Sequence, residues 1–464
     1  MTTEAVGGVG GGPDLTSWLA GSAAAYTFDR IPPDVLLIAK SCVLDWLGVA
    51  LAGSRDPVSR VLAETVAAPV AGSAGSTLLG RAGRARVVEA ARVNGTAGHV
   101  LDYDDVLTAF DGHPTAPVLP AVLAVAEAEG ASGRDVLTAL VAGIETETRI
   151  NRAVAPSHYR IGFHTTASVG TFGAAAATAR LLGLGPDATA HALGLAATSA
   201  AGLKSAFGSW GKSLQVGRAA AEGALAALLA RRDATGPADG LGCAQGFAAT
   251  HADAVDAAAA MTPVGEPWYL RELLFKFHAS CYGTHSSIEA LLRLRPRLAV
   301  SSIADIELGI SPQHVGMCTK PLVGTPLDAK FSLEYTAALA LLLGRADEGV
   351  FTDEVIARDD LRRLAGRVRT RVDPGGTLTR TEVRVTCTDG TLLEEAVDVG
   401  VPAAPDRLGQ QRDRLTGKFH GLAAPVVGAG RAAEIASLVS ELDGLDRIGR
   451  LTALTREPAG GLGG

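Results

Sequence analysis

Aromatic side chains make up only 5% of this 464-residue chain, and methionine occurs three times. A core with so few rings has to be filled by aliphatic and small side chains, and Ala and Gly are correspondingly abundant. With 47% hydrophobic and 20% charged residues, this describes a globular protein of helices in close contact through small residues. Cysteine is also sparse. Cys42, Cys243, Cys281, Cys318 and Cys387 are widely scattered, odd in number and form no CxxC, which excludes a disulfide framework and a zinc site and suits a reducing cytoplasm. Excess positive charge is missing as well. The formal net charge of −7 speaks against a nucleic-acid partner, and Arg81, Arg84, Arg86 and Arg92 read as a solvated helix face. Residues 1–13 lack a basic stretch followed by an apolar one, and apolar runs such as 335–343 fall short of a bilayer. The expectation is a cytoplasmic protein with no membrane partner.

The length exceeds one ordinary core, so two domains are predicted. Pro32-Pro33 opens a helix, in which Leu36, Ala39, Val43, Leu47 and Ala50 recur at helical spacing. The same periodicity predicts helices at 116–129, 133–150, 166–182, 188–201 and 216–231. After about residue 265 the pattern changes. Segments 303–310 and 381–387 alternate in the manner of strands, and Asp389-Gly390 marks a hairpin turn into 392–399. Helical patterns at 286–294, 332–343 and 352–364 lie among them, and helix returns after 406. The fold class predicted is mainly α with a smaller α+β domain. Its parts are an all-helical domain over 14–268, an α/β-sandwich-like lid over 269–405 and a helical return over 406–457, with flexible tails at 1–13 and 458–464.

Four polar clusters stand out. His99, Asp102, Tyr103, Asp104 and Asp105 are followed by His113-Pro114. Three carboxylates so close together repel unless cations or donors compensate them. Single Asp residues there also suit backbone capping. A magnesium site of paired Asp one turn apart has no match, because Thr108 and Ala109 stand one turn beyond Asp104 and Asp105. His164, Thr165 and Thr166 precede an apolar helix, where a lone His is commonly a cap. Lys212 opens another helix, against the dipole unless an anion such as a substrate carboxylate lies nearby. Lys276, His278, Cys281 and His285 mark the start of the second domain.

Taken together these stretches resemble the MmgE/PrpD family, nearly end to end. The resemblance is carried by Asp45-Trp46-Leu47-Gly48, by Asn94 through Asp105 with His113-Pro114, and by 162–166 and 211–214. Cys281-Tyr282-x-Thr284-His285, Ala329-Lys330-Phe331-Ser332 and Lys418-Phe419 complete it. The resemblance implies a homodimer, an active site in the cleft between a helical domain and its lid, and catalysis without metal or organic cofactor. It places Asp102, His113, His164, Lys212, His285 and Tyr335 around that site as catalytic residues. His99, Asp105, Thr165, Lys276 and Cys281 are expected to bind substrate, and the choice between Cys281 and His285 for the substrate-facing role stays open.

The activities this implies are dehydration, decarboxylation and epimerisation of small carboxylic acids. Each moves a proton at carbon next to a carboxylate, and fixed cations must stabilise the charge that develops. Lys212 fits that role. His113 or His164 would serve as acid, Asp102 would orient a histidine, and Tyr335 would donate a hydrogen bond from the lid. Dehydration of a small β-hydroxy di- or tricarboxylate is the first expectation, decarboxylation of a cis-aconitate-like acid the second and epimerisation the third. A non-catalytic ligand-binding relative is the reading from a different class.

Overall fold

Small residues decide how closely the helices of the first core approach one another. The computed structural model describes residues 14–66, 75–320 and 323–457, so the expected tails at 1–13 and 458–464 lie outside the described residues. Helix α1 (Leu15–Ala25) starts on an Asp14 cap, and α2 (Pro33–Gly53) has Pro33 in its first turn, where a missing N–H costs nothing. Helix α3 (Val87–Ala97) leads through a loop to the short strand β1 (Val106–Leu107). Then come α4 (Thr115–Glu129), α5 (Gly133–Val154), α6 (Gly170–Leu181) and α7 (Gly211–Ala230). Helix α7 packs against both α3 and α6. At Gly217 any Cβ would lie 2.3 Å from the Arg92 carbonyl oxygen of α3, so the crossing requires glycine.

The segment after α7 ends in β2 (Leu273–Leu274), which pairs antiparallel with β1. Helix α8 (His285–Leu294) follows, then β3 (Ile303–Ile310), α9 (Leu333–Leu343), β4 (Val368–Val372), β5 (Arg380–Cys387) and β6 (Leu392–Asp398). The four strands form a sheet in the order β4-β3-β5-β6, with only β3 and β4 parallel. Thr381, Val383, Val385 and Cys387 of β5 are buried while Arg380, Glu382 and Arg384 are exposed. That period of two leaves one face to solvent and the other to α8, with α9 packed on α8. The described chain ends with α10 (Leu408–Val427), α11 (Ala429–Ser440) and a short helix, Gly449–Leu454, and α10 lies along α2.

Two large apolar cores result. One runs from Leu15 to Phe275 and resumes from Leu408 to Leu451. The other runs from Ala279 to Val397, joined by Val49, Tyr103 and Leu422. The mainly helical fold with a smaller α+β part is as the sequence predicts. Three of the differences have a clear physical reason. The 352–364 pattern splits into Asp353–Ile356 and Asp359–Ala365, because Asp359 and Asp360 start a new first turn where the helix dipole favours acids. Strand β4 was not anticipated from its pattern, since Val368 alone of its five residues is buried. Finally, α2 is 21 residues long and, among the described residues, the one helix apolar enough to cross a membrane by length and composition. Its most apolar stretch is 78% buried, so the protein core accounts for the composition that the expectation of short apolar runs overlooked.

Candidate active site

Helix α3 ends at Ala97, and the chain enters a loop in which Asp102 adopts φ 51°. This left-handed conformation is one that Asp tolerates better than most residues. The β1–β2 pairing draws the same loop against the beginning of the second core. There Lys276 Nζ donates to the Asp102 carbonyl oxygen at 2.7 Å and lies 3.2 Å from its carboxylate. Lys212, second residue of α7, comes from the opposite side to 2.6 Å from Asp102 Oδ1. One carboxylate, 30% exposed, is thus shared by two ammonium groups. Burial alone would raise its pKa, but Lys212 and Lys276 hold it well below the usual carboxylate range.

His113 stands between two acids. Its Nε2 is 3.6 Å from Asp102 Oδ1, and its Nδ1 is 3.3 Å from Asp104 Oδ2. The same Asp104 oxygen meets His99 Nδ1 at 2.8 Å. Asp104 is fully buried; burial opposes its charge, but the facing His113 and His99 rings keep it ionised well below the ordinary range. Burial pushes His99 down to about 4, against the pull of Asp104, so this ring is neutral at physiological pH. His99, Asp104 and His113 each offer one ligand atom within 4.8 Å of the others, a donor set that would also suit a divalent cation. In the structure the Asp104 oxygen is hydrogen-bonded to His99 and lies 3.3 Å from His113 Nδ1.

His164 occupies the position before the short helix Thr165–Ser168 without a side-chain capping bond, and stacks on His99 at 5.9 Å. Gln215 Nε2 donates to its Nδ1 at 2.6 Å, which leaves the ring proton on Nε2. Burial, reinforced by His99 and Lys212, lowers its pKa well below the usual value. A neutral His164 can donate a hydrogen bond from Nε2. Phe207 closes this side, edge-on to His164 at 5.0 Å.

Of the residues singled out from sequence, Asp102, His113, His99, Lys212, Lys276 and His164 come together. Cys281 is buried nearby, where Lys276 and Asp102 both act on its thiol and the Cys318 thiol, 3.1 Å away, lowers its pKa. Asp105 points away into the core. It accepts from the Thr115 hydroxyl and from the Thr115 N–H at the start of α4, and burial raises its pKa to about 8. Thr165 Oγ1 is buried without a hydrogen-bond partner among the described residues. Its neighbour Thr166 accepts from the His113 N–H instead. The Tyr335 hydroxyl donates to the Ile356 carbonyl within the second core. His285 packs on His278 and Tyr282 and contacts the Ser280 carbonyl. Among the described residues no hydrogen bond, ion pair or ring contact joins Tyr335 or His285 to Asp102, His113, His164 or Lys212. Two participants were missed. Asp104, not Asp102, makes the shorter approach to His113, and Gln215 fixes the His164 tautomer. Gln215 lies three residues after Lys212 on a helix, a same-face spacing that carried the signal.

The family model described as the MmgE/PrpD N-terminal domain matches residues 17–259, and that of the MmgE/PrpD C-terminal domain matches 278–444. The chain is 28% identical over 478 residues to cis-aconitate decarboxylase of Aspergillus terreus, covering 96% of each protein. The mouse protein of the same name is 27% identical over 470 residues, covering 96% of this chain and 94% of the relative. The human one is 28% identical over 444 residues, covering 92% and 91%. With both family domains matched in order, and with a polar cluster assembled from the segments that carried the resemblance, the chain belongs to the MmgE/PrpD family.

Proposed function

We propose that the chain is a lyase that decarboxylates a small unsaturated polycarboxylate of the cis-aconitate type. The observation that carries the reading is His113 held between Asp104 and Asp102, beside two lysines that share one carboxylate. Two ammonium groups against one acid leave positive charge free to receive a substrate carboxylate. In a partly buried site that charge is worth more than in water. Lys212 and Lys276 would fix the substrate. The carbon–carbon bond to one carboxylate then breaks, its electron pair moves through the double bond, and carbon dioxide leaves. One proton must be delivered to the far carbon, and His113, beside Asp104, would carry it. Full-length relatives named as cis-aconitate decarboxylases support this order of preference.

Dehydration of a β-hydroxy acid is the second reading. It needs the same carrier to protonate a leaving hydroxyl, and the geometry of His113 favours it equally.

The test is proton NMR of the purified protein in D₂O with chelator present, offered cis-aconitate, citrate and 2-methylcitrate. The expected outcome is loss of cis-aconitate with carbon dioxide release and one deuterium in the product. Growth of alkene signals from a hydroxy acid would replace decarboxylation by dehydration. No reaction of any of the three acids would overturn both. His113→Asn and Lys212→Met should each lower kcat/KM by about 10²-fold or more.

A further inference from the structure

Lys418 lies on α10, in the segment that returns from the second core. Its Nζ is buried and makes three close contacts. It is 2.6 Å from Asp45 Oδ1 on α2, 2.6 Å from the Tyr103 carbonyl oxygen and 2.8 Å from the Lys276 carbonyl oxygen. It also lies 3.8 Å over the Tyr103 ring. Tyr103 directly follows Asp102, and Lys276 is one of the two lysines that share Asp102. One buried ammonium therefore ties the backbones of the two segments whose side chains form the charged half of the site.

A buried charge is costly unless paired and fully bonded, and breaking such a pair is strongly destabilising. Asp45 supplies the counter-charge, and two carbonyls satisfy the remaining donors. Burial raises the Asp45 pKa to about 6, with Lys418 pulling it down. An apolar pair of similar volume would fill the same space without this cost. What such a pair could not do is hold two carbonyl oxygens at a fixed separation. The Tyr103 hydroxyl, which donates to the Phe277 carbonyl at 2.9 Å, and the β1–β2 pairing bind the same two segments, but both lie to either side of Lys276.

We propose that Lys418, neutralised by Asp45, is a positioning residue that sets the spacing of Asp102 and Lys276 by clamping the carbonyls of Tyr103 and Lys276. The inference rests on the site as read above. It makes the returning helix α10 part of the active-site framework, although none of its side chains is asked to touch substrate. A displacement of about 1 Å at such a site can cost about 10²-fold in rate.

The test compares Lys418→Met, Asp45→Asn and the double variant Asp45→Asn/Lys418→Met. Lys418→Met alone should lower Tm, because it strands the Asp45 carboxylate. The double variant removes both charges and should recover most of that Tm. Its kcat should nevertheless stay at least about tenfold below wild type. Asp45→Asn leaves the buried ammonium without its counter-charge and should lower Tm as well. A folded double variant with wild-type kcat would overturn the proposal. Amide hydrogen exchange supplies a readout that needs no substrate. Residues 100–107 and 273–277 should exchange faster in the double variant, and unchanged protection would overturn the clamp even if the wild-type protein turned over none of the acids tried. Failure of turnover in the wild type alone would count against the proposed reaction and not against Lys418.

Discussion

Three consecutive positions carry Asp102, Tyr103 and Asp104, and the backbone gives the two carboxylates different principal partners, with His113 between them. Asp102, at φ 51°, turns to Lys212 and Lys276, whereas Asp104 is buried beneath His99 and His113. Asp104→Asn would keep the shape but place an N–H₂ or a weaker acceptor against the His113 ring, as happens when a histidine loses its orienting carboxylate. The expected result is a fall in kcat of about 10² to 10⁴-fold with KM nearly unchanged, measured by steady-state kinetics on the acid identified by NMR. Tyr335→Phe is expected to behave in the opposite way. Its hydroxyl is already given to Ile356, so the variant should lose about 1 kcal/mol of stability in denaturant titration and keep kcat within a few-fold. The polar residues of the site were legible because they cluster beside helix ends. Which acid faces which ring was not, because it depends on a left-handed residue that no glycine announces. The hydrogen-bond partners of Tyr335 and His285 were not legible for a related reason: a helical pattern shows that a face exists, but not where each buried polar group finds its partner.

At the scale of elements, the long helices and the 381–399 hairpin were readable from periodicity and from the Asp-Gly turn. The exposed edge strand β4 buries too little to leave a pattern. The pairing of β1 with β2 was beyond reach, since two residues on each side carry no period at all. The α3–α7 crossing shows how such elements place the chemistry. Helix α3 feeds the loop of Asp102 and Asp104, and α7 carries Lys212, so their separation fixes how far the lysine reaches. Gly217→Ala would gain up to about 1 kcal/mol from helix propensity alone. The new Cβ, however, meets the Arg92 carbonyl at 2.3 Å and Thr96 Oγ1 at 2.2 Å, and backbone cannot yield as a flexible side chain does. Overpacking of this kind costs about 1–3 kcal/mol, so the clash prevails. Thermal unfolding should show a lower Tm, and KM should rise as Lys212 is moved away from Asp102. A raised Tm would mean that the helices separate without penalty.

Across the whole molecule, the buried ionisable groups give stability a predictable dependence on pH. His99 and His158 are each held down to about 4 by burial, while an unfolded histidine titrates near about 6.5. Between those values the unfolded chain binds more protons, so their contribution is present above about 6.5 and is lost as pH falls toward 4. Buried acids act in the opposite sense. Burial raises Asp45 to about 6 and Asp105 to about 8, against about 3.9 in the unfolded chain. Their contribution is present at low pH and is lost as pH rises to the folded values. Two histidines and two acids therefore oppose one another between about pH 4 and 6. Above about 6.5 the histidines no longer contribute a slope, while Asp105 still does. Glu147, whose fully buried carboxyl is raised well above its ordinary value, adds to the same trend. Tm should accordingly fall between pH 6.5 and 8.5. Asp105→Asn retains a neutral side chain able to bond Thr115 and removes the titration, so it should reduce that fall. Scanning calorimetry at the two pH values measures it. An equal fall in the variant would show that the alkaline loss comes from other groups, with Glu147→Gln the next variant to compare.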